Sequence, residues 1–269
     1  MLGLGNSITL STPLLASSLL LENVAGAAMA VSLRKIDSTY SGSCIKVRRD
    51  SDNTLLDIGF LANGELDVSA LTTFVNESGA GNGFVNTWYD QSGSGNNATT
   101  AAPADEPRIV ASGVYDGAVK YTLAAHNLNL LNIEDEHTIF YVLESTDTHA
   151  LHFQSNAAGG NFLMLAVDGN ANPPYSAGVG TLTYHLDGAV QSWTTRDNVS
   201  DGIADGAQHL VTIADINIAD TTWDPMYLGD YGGFPISPTL VSELIVYPSN
   251  LITADQEAVE LDITTHYSL

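Results

Sequence analysis

Basic side chains are scarce in this sequence. The chain of 269 residues carries 8 lysines and arginines against 31 aspartates and glutamates, a formal net charge of −23. A surface of that charge repels nucleic acid and anionic membranes, so we predict neither nucleic acid nor membrane insertion among its partners. Cysteine is rarer still. The single Cys44 cannot form a disulfide within the chain, and a core of this size needs none.

The first 33 residues contain no lysine or arginine. A secretory signal peptide begins with a basic segment, so this pattern predicts no signal peptide. The apolar stretch from Leu10 to Leu21 is interrupted by serine, threonine and proline, and it is too short to span a bilayer. We therefore interpret residues 1–24 as an uncharged N-terminal arm and residues 25–269 as one domain. The arm is either the first strand of that domain or a contact to another subunit.

Beyond residue 107 the sequence is a series of short apolar runs separated by Gly, Asn, Asp and Pro. Runs of this kind are typical of a β-sandwich. Helical patterns are few: an alanine-rich stretch over 25–36, a stretch from an N-cap at Asp67 to about Asn76, and a C-terminal stretch with a capping box at Thr253. The predicted fold class is mainly β, a sandwich with a few short helices and a C-terminal helix.

One run is unusual for its polarity, the segment 87–98, which reads TWYDQSGSGNNA. It joins the aromatic end of a strand to a polar turn, in which Gly93 and Gly95 permit positive φ. Asp90 and Gln91 can hydrogen-bond to nearby backbone groups. We predict that these two side chains hold the loop in place rather than catalyse a reaction.

Three upstream blocks accompany this run: YSG at 40–42, IKVRRDSDN at 45–53 and DIGF at 57–60. In this order the four blocks resemble the catalytic domain of the arabinofuranosidase B family. The resemblance implies a concanavalin-A-like β-sandwich, or jelly roll. It also implies the chemistry of a retaining glycosidase, in which two carboxyl groups lie about 5–5.5 Å apart.

The same resemblance implies where those carboxyl groups lie. The position of the nucleophile, a glutamate in the family, holds Asp168, and the substrate-contacting aspartate two residues earlier is replaced by Ala166. The acid/base position falls near Asp230. Aspartate is one methylene shorter than glutamate, and a displacement of about 1 Å can lower a rate roughly a hundredfold. We therefore assign Asp168 and Asp230 to the catalytic positions and predict that the domain does not hydrolyse its ligand.

A chain that opens with MLGLGNS and leads into such a sandwich resembles tail-associated or head-decorating proteins of bacteriophages. We accordingly predict a lectin-like structural protein of the virion, located in the extracellular particle. It would bind other virion proteins, or copies of itself, through the arm, and would contact a host-surface glycan without catalysis. Two alternatives stay open: a glycoside hydrolase acting on arabinose-containing polysaccharide, and a carbohydrate-binding module of a bacterial surface protein.

Aromatic rings bind the apolar face of a sugar, while Asp and Asn bind its hydroxyls. The candidate glycan-binding residues are Trp193, Trp223 and Tyr231. No cofactor is predicted from histidine spacing, because His149 and His152 would point to opposite faces of a strand. The acidic segments 197–202 and 205–206 carry the oxygen ligands that Ca²⁺ prefers, so they are either ordinary turns or a calcium site.

Overall fold

The computed structural model describes residues 19–123, 126–133, 135–155, 161–218, 226–229 and 238–269. Within these residues the chain forms a large antiparallel β-sheet with four helices. In chain order the elements are α1 (Leu20–Asn23), β1 (Met29–Ser32), β2 (Ile45–Arg49), β3 (Leu55–Ile58), α2 (Val68–Asn76), β4 (Gly83–Trp88), β5 (Ala98–Thr99), β6 (Arg108–Ala111), β7 (Val114–Tyr121), β8 (Asn127–Asn129), β9 (Asp135–Ser145), β10 (His149–Ser155), β11 (Phe162–Val167), β12 (Gly180–Leu186), β13 (Ala189–Gln191), α3 (Arg196–Ile203), β14 (Gln208–Ile218), β15 (Met226–Gly229), β16 (Thr239–Tyr247) and α4 (Thr253–Tyr267).

The sheet folds over on itself. Its hydrogen-bonded order is β11-β10-β15-β8-β5-β4-β6-β7-β16-β9-β14-β12-β13, with β1 paired to β16, and β2 pairing with both β3 and β4. Strands β9 and β10 are far apart in this order, yet the rings of Tyr141 on β9 and Phe153 on β10 lie 5.0 Å apart. The two halves of the sheet therefore pack face to face, and the prediction of a β-sandwich with a few helices and a C-terminal helix is confirmed.

Cross-strand register sorts the side chains between two faces of the sheet. In one row Ile45 on β2 pairs with Trp88 on β4, which pairs with Ala98 on β5, and all three are fully buried. In the adjacent row Lys46 pairs with Thr87, and both are partly exposed. Since successive side chains of a strand alternate between faces, the first row lies in the core and the second on the outside.

The other half of the sandwich is buried on both of its faces. Tyr141 on β9 points into the sandwich core, whereas its neighbour Phe140 belongs to a second apolar cluster on the opposite face. Helices α1 and α4 complete that cluster with Leu20, Val259 and Ile263. This half of the sheet thus lies between the sandwich core and a layer of helices.

The helix predicted over residues 25–36 is wrong. The segment contains strand β1 instead, all four residues of which are buried, with Met29 paired to Val246 and Ser32 paired to Glu243 on β16. Alanine-rich composition favours a helix only weakly, and pairing with a buried strand overrides it.

The two other predicted helices are present. Helix α2 begins as predicted, since the Asp67 side chain accepts a hydrogen bond from the Ala70 amide at 2.8 Å. The C-terminal helix α4 also forms, but its N-cap is Ile252, which makes no side-chain hydrogen bond. The capping box predicted at Thr253 is therefore wrong, and burial of Val259 and Ile263 accounts for this helix better than its cap does.

Asp90 and Gln91 hold the loop after β4 through hydrogen bonds to backbone groups, as predicted, but these bonds also connect the loop to the distant segment around β1, which was not predicted. The Asp90 carboxylate accepts a hydrogen bond from the Ala30 amide at 2.8 Å. The Gln91 side chain accepts from the Ile36 amide at 3.0 Å and donates to the Ser32 carbonyl at 3.2 Å. Both side chains are buried, so these polar contacts substitute for water along the edge of β1.

Residues 1–18 of the predicted arm lie outside the described residues. The division into an arm (1–24) and a sandwich (25–269), and the binding of another subunit through the arm, therefore stay predictions. Of the rest of the arm, Leu20, Leu21 and Val24 are buried against the second apolar cluster. Among the described residues, no helix has both the length and the apolarity that a membrane crossing requires.

Candidate active site

Asp168 is the first residue after strand β11. Its amide donates to the Thr148 carbonyl at 2.9 Å, and the Asn170 amide donates to the Val167 carbonyl at 3.1 Å. Gly169 between them has φ of 67°, a left-handed conformation that glycine adopts without strain. This turn leaves Asp168 exposed at the end of a mostly buried strand.

Helix α3 lies beside this turn. It begins at a Thr195 N-cap, whose hydroxyl accepts a hydrogen bond from the Asn198 amide at 3.2 Å. Val199 and Ile203 pack into the sandwich core, which fixes the face that the helix presents to the sheet. Residues one turn apart on the remaining surface therefore share a face, and two of them are aspartates.

Those two aspartates, Asp197 and Asp201, lie next to Asp168. The Asp197 carboxylate accepts a hydrogen bond from the Gly169 amide at 2.7 Å, which ties the helix to the turn. One carboxylate oxygen from each of Asp168, Asp197 and Asp201 lies within 4.8 Å of the other two. We call these three residues the aspartate group. Three like charges at this spacing attract a cation, or a substrate that develops positive charge.

Trp193, one of the predicted glycan-binding residues, is a neighbour of the aspartate group. Its indole lies 5.6 Å from the Tyr184 ring and covers Gly202, where any side chain would collide with it. A shallow pocket of about 300 Å³ includes Trp193, Asn198 and Asp201 in its lining. An aromatic surface, an amide and a carboxylate therefore line one pocket, a combination suited to binding a sugar.

The other predicted site residues, Asp230, Trp223 and Tyr231, lie outside the described residues. The catalytic role of Asp168 and the glycan-binding role of Trp193 stay predictions. Sequence reasoning missed the aspartate group because it interpreted residues 197–202 as an acidic turn, whereas they belong to helix α3. The available signal was Thr195 followed by Asn198, which form a reciprocal cap with hydrogen bonds in both directions.

The two histidines of β10 differ in their exposure to solvent. His149 is exposed, whereas His152 is fully buried and its Nδ1 lies 3.3 Å from the Tyr141 hydroxyl. Burial lowers the pKa of His152 to about 3, so its ring is neutral at physiological pH. Opposite environments of this kind do not suit two ligands of one metal ion.

Glu243 is a structural carboxylate rather than a catalytic one. It is fully buried on β16, and Arg34 donates to both of its oxygens at 2.8 and 3.1 Å. The hydroxyls of Ser32 and Tyr267 contact the same carboxylate at 2.7 and 3.3 Å. Arg34 also donates to Asp262 on α4 at 2.7 Å, so this buried network joins β1, β16 and the C-terminal helix.

Comparison with known proteins identifies the family. The model of the alpha-L-arabinofuranosidase B catalytic domain matches residues 23–158, half of the chain. The chain belongs to this family. The matched part contains the loop of Asp90 and Gln91 and ends before β11 and the aspartate group.

Solved structures of arabinofuranosidases share the fold of this family member. A family 54 glycoside hydrolase, an α-L-arabinofuranosidase soaked with a cyclic sulfate inhibitor, is 17% identical over 92% of this chain, with a TM-score of 0.59. An arabinofuranosidase complexed with arabinofuranosyl-alpha-1,2-xylobiose is likewise 17% identical over 92% of this chain, with a TM-score of 0.57. In both cases the chain spans 64% of the other protein's length. No curated protein sequence matches the chain.

These findings overturn the prediction of a non-catalytic bacteriophage virion protein. The family model and the structural neighbours are those of arabinofuranosidases, which agrees with the alternative reading of the sequence. The prediction inferred loss of catalysis from the residues at the positions that the resemblance implied, Asp168 and Ala166. The structure in addition places Asp197 and Asp201 of helix α3 next to Asp168.

Proposed function

We propose that this chain is a retaining glycoside hydrolase domain that removes arabinofuranosyl groups from a polysaccharide. Membership of the arabinofuranosidase B family supports the reaction class. The observation that carries the proposal is the aspartate group beside the Trp193 pocket. A retaining glycosidase needs two carboxyl groups about 5–5.5 Å apart. One carboxylate oxygen of Asp168 lies no more than 4.8 Å from one of Asp201, so the two groups are neighbours of the kind that this chemistry requires.

The two exposed aspartates of the group have distinct roles in this proposal. An Asp168 oxygen attacks the anomeric carbon while the protonated Asp201 donates its proton to the departing glycosidic oxygen. This forms a glycosyl ester on Asp168 and releases the rest of the polysaccharide. The Asp201 carboxylate then removes a proton from water, the water oxygen attacks the anomeric carbon, and the ester bond to Asp168 breaks.

The remaining residues of the site position the substrate and the nucleophile. The Asp197 carboxylate accepts a hydrogen bond from the Gly169 amide and so holds the turn that carries Asp168. Trp193 offers its indole to the apolar face of the sugar, and Asn198 lines the same pocket. Asp230, the acid/base residue implied by the family resemblance, is the competing candidate for the role given to Asp201.

Two substrates separate the roles of these carboxylates. The full-length protein is assayed on 4-nitrophenyl α-L-arabinofuranoside and on an arabinofuranosyl-substituted xylo-oligosaccharide. Asp168→Asn should reduce both rates to background, because the nucleophile is required whatever the leaving group. Asp201→Asn should slow the oligosaccharide by roughly 10²–10⁴-fold and the nitrophenyl substrate much less, since nitrophenolate leaves without a proton.

Asp205→Asn is the matched control, because Asp205 is an exposed aspartate two residues beyond α3 and outside the aspartate group. Its rates should equal those of the wild type. Asp230→Asn is measured in parallel, and if it alone shows the oligosaccharide-selective loss, Asp230 is the acid/base. A wild-type protein without activity on either substrate, or an Asp168→Asn variant with unchanged rates, contradicts the proposed function.

A further inference from the structure

A second pocket lies away from the aspartate group. It has a volume of about 660 Å³ and is lined mainly by two loops, residues 35–43 and 59–64. It shares no lining residue with the Trp193 pocket. We call it the Tyr40 pocket. Its volume is within the range of ordinary small-molecule sites.

Two aromatic rings line the Tyr40 pocket. The rings of Tyr40 and Phe60 meet edge to face, with centroids 6.4 Å apart and an interplanar angle of 81°. The Tyr40 hydroxyl donates to the Ser43 carbonyl at 2.7 Å, and Phe60 packs against the sandwich core. Any side chain at Gly42 would collide with the Tyr40 ring. The hydrogen bond thus fixes the tip of the ring, and the absence of a side chain at Gly42 leaves room for it.

The backbone of both loops is fixed by hydrogen bonds. The Lys35 amide donates to the Gly64 carbonyl at 2.7 Å, which joins the two loops. The second loop is closed by the Leu61 amide, which donates to the Glu65 carbonyl at 2.7 Å, and by the Gly64 amide, which donates to the Leu61 carbonyl at 2.9 Å. A pocket formed in advance binds its ligand without the entropic cost of ordering loops.

With the exception of Lys35, the polar side chains that line the pocket are neutral. None of its lining residues is acidic, in a chain with 31 acidic residues. Its single charged group, the Lys35 ammonium, donates to the Ser38 carbonyl at 3.1 Å. Ser41 and Asn63 are exposed at the rim, and Gly59 leaves open space where a side chain would stand. This lining matches a neutral, polyhydroxylated ligand with one apolar face, and it does not match a metal ion or a strong anion.

We propose that the Tyr40 pocket is an accessory binding site for one or two neutral sugar residues of a polysaccharide, separate from the hydrolytic site. The apolar face of the sugar stacks on Tyr40 and Phe60, and its hydroxyls bond to the serine and asparagine side chains of the rim. Binding here keeps the protein on the polymer between cleavage events and raises the local concentration of target groups. We take this polymer to be the one hydrolysed at Asp168, and this identification rests on the proposed function.

The test is retardation of the full-length protein in native gels that contain arabinoxylan, arabinan or hydroxyethyl cellulose. Asp168→Asn is the background for every variant, so that the polymer stays intact. Tyr40→Phe keeps the aromatic ring, so this variant should be retarded as strongly as the Asp168→Asn protein. Tyr40→Leu removes the ring and should weaken retardation roughly tenfold. Tyr89→Leu is the matched control, because Tyr89 is a partly exposed tyrosine that does not line the pocket.

Gly59→Leu provides an independent variant. A Cβ at Gly59 meets no atom within 4 Å and its φ is not in the left-handed region, so a side chain can be added at this lining position without backbone strain, and we expect a leucine here to occupy the pocket. This variant should weaken retardation at least as much as Tyr40→Leu does, while the melting temperature stays unchanged. If no polymer retards the background protein, or if Tyr40→Leu and Gly59→Leu are retarded as strongly as Tyr89→Leu, the proposal is wrong. The two proposals fail separately, because hydrolysis depends on Asp168 and retardation depends on Tyr40.

Discussion

Replacing Asp90 by alanine removes an acceptor used by three backbone amides and one hydroxyl. Asp90 Oδ1 accepts from the amides of Ala30 and Ser92 at 2.8 and 2.9 Å. Asp90 Oδ2 accepts from the Ser92 hydroxyl and the Asn96 amide at 2.8 and 3.0 Å. Only 5% of Asp90 is exposed, so solvent has little access to the groups that the substitution leaves unpaired.

The expected loss follows from the amides that lose their acceptor. A buried donor without a partner costs roughly 1–3 kcal/mol. Ala30 is fully buried, whereas Ser92 and Asn96 are partly exposed. We therefore expect Asp90→Ala to lower the free energy of unfolding by about 2–4 kcal/mol, with the largest share from the Ala30 amide. Asp90→Asn keeps the shape and one carbonyl oxygen, so its loss should be about 1–2 kcal/mol.

Urea unfolding, followed by tryptophan fluorescence, measures these losses if the slope of the transition is unchanged between variants. Asp67→Ala is the control, because Asp67 accepts one hydrogen bond at the start of α2 and its loss should cost about 1 kcal/mol. If Asp90→Ala is no more destabilising than Asp67→Ala, the loop is held by solvent or by other contacts, and the reasoning is refuted.

Two further predictions concern pH and calcium. His209 lies between Asp187 at 2.8 Å and Asp205 at 3.2 Å, and the hydrogen bond to Asp187 raises its pKa. The stabilisation of the folded state is complete below the unfolded pKa of about 6.5 and is lost as pH rises through the higher folded pKa. His209→Asn should therefore lower the melting temperature more near pH 5.5 than near pH 9. An equal loss at both pH values would contradict this prediction. The aspartate group offers carboxylate oxygens of the kind that bind Ca²⁺. Millimolar CaCl₂ should therefore raise the melting temperature of the wild type, and a chelator should reverse the rise. The melting temperature of Asp201→Asn should not respond. A calcium response that Asp201→Asn retains would place the ion elsewhere.

Features that depend on neighbouring residues could be predicted from the sequence. The short apolar runs beyond residue 107 were predicted to be extended, and strands β6 and β11 are two of them, because apolar runs between turn residues specify extended backbone locally. Helix α2 begins after Asp67 because the Asp67 side chain accepts a hydrogen bond from the Ala70 amide, only three residues further along the chain. The local part of the role of Asp90 could also be predicted, since an aspartate in a glycine-rich turn accepts hydrogen bonds from amides close to it, here those of Ser92 and Asn96.

Features that depend on distant residues were decided by the tertiary structure. The segment around Ala30 is a strand rather than a helix because β16, more than two hundred residues later, supplies its hydrogen-bonding partner. Asp168 and Asp201 meet because α3 lies against β11 and buries Val199 and Ile203 in the core, and the separate spacings of these residues contain no sign of that contact. Local sequence specifies backbone conformation and caps, whereas a site assembled from carboxylates on two elements exists only once burial of the core has set those elements side by side.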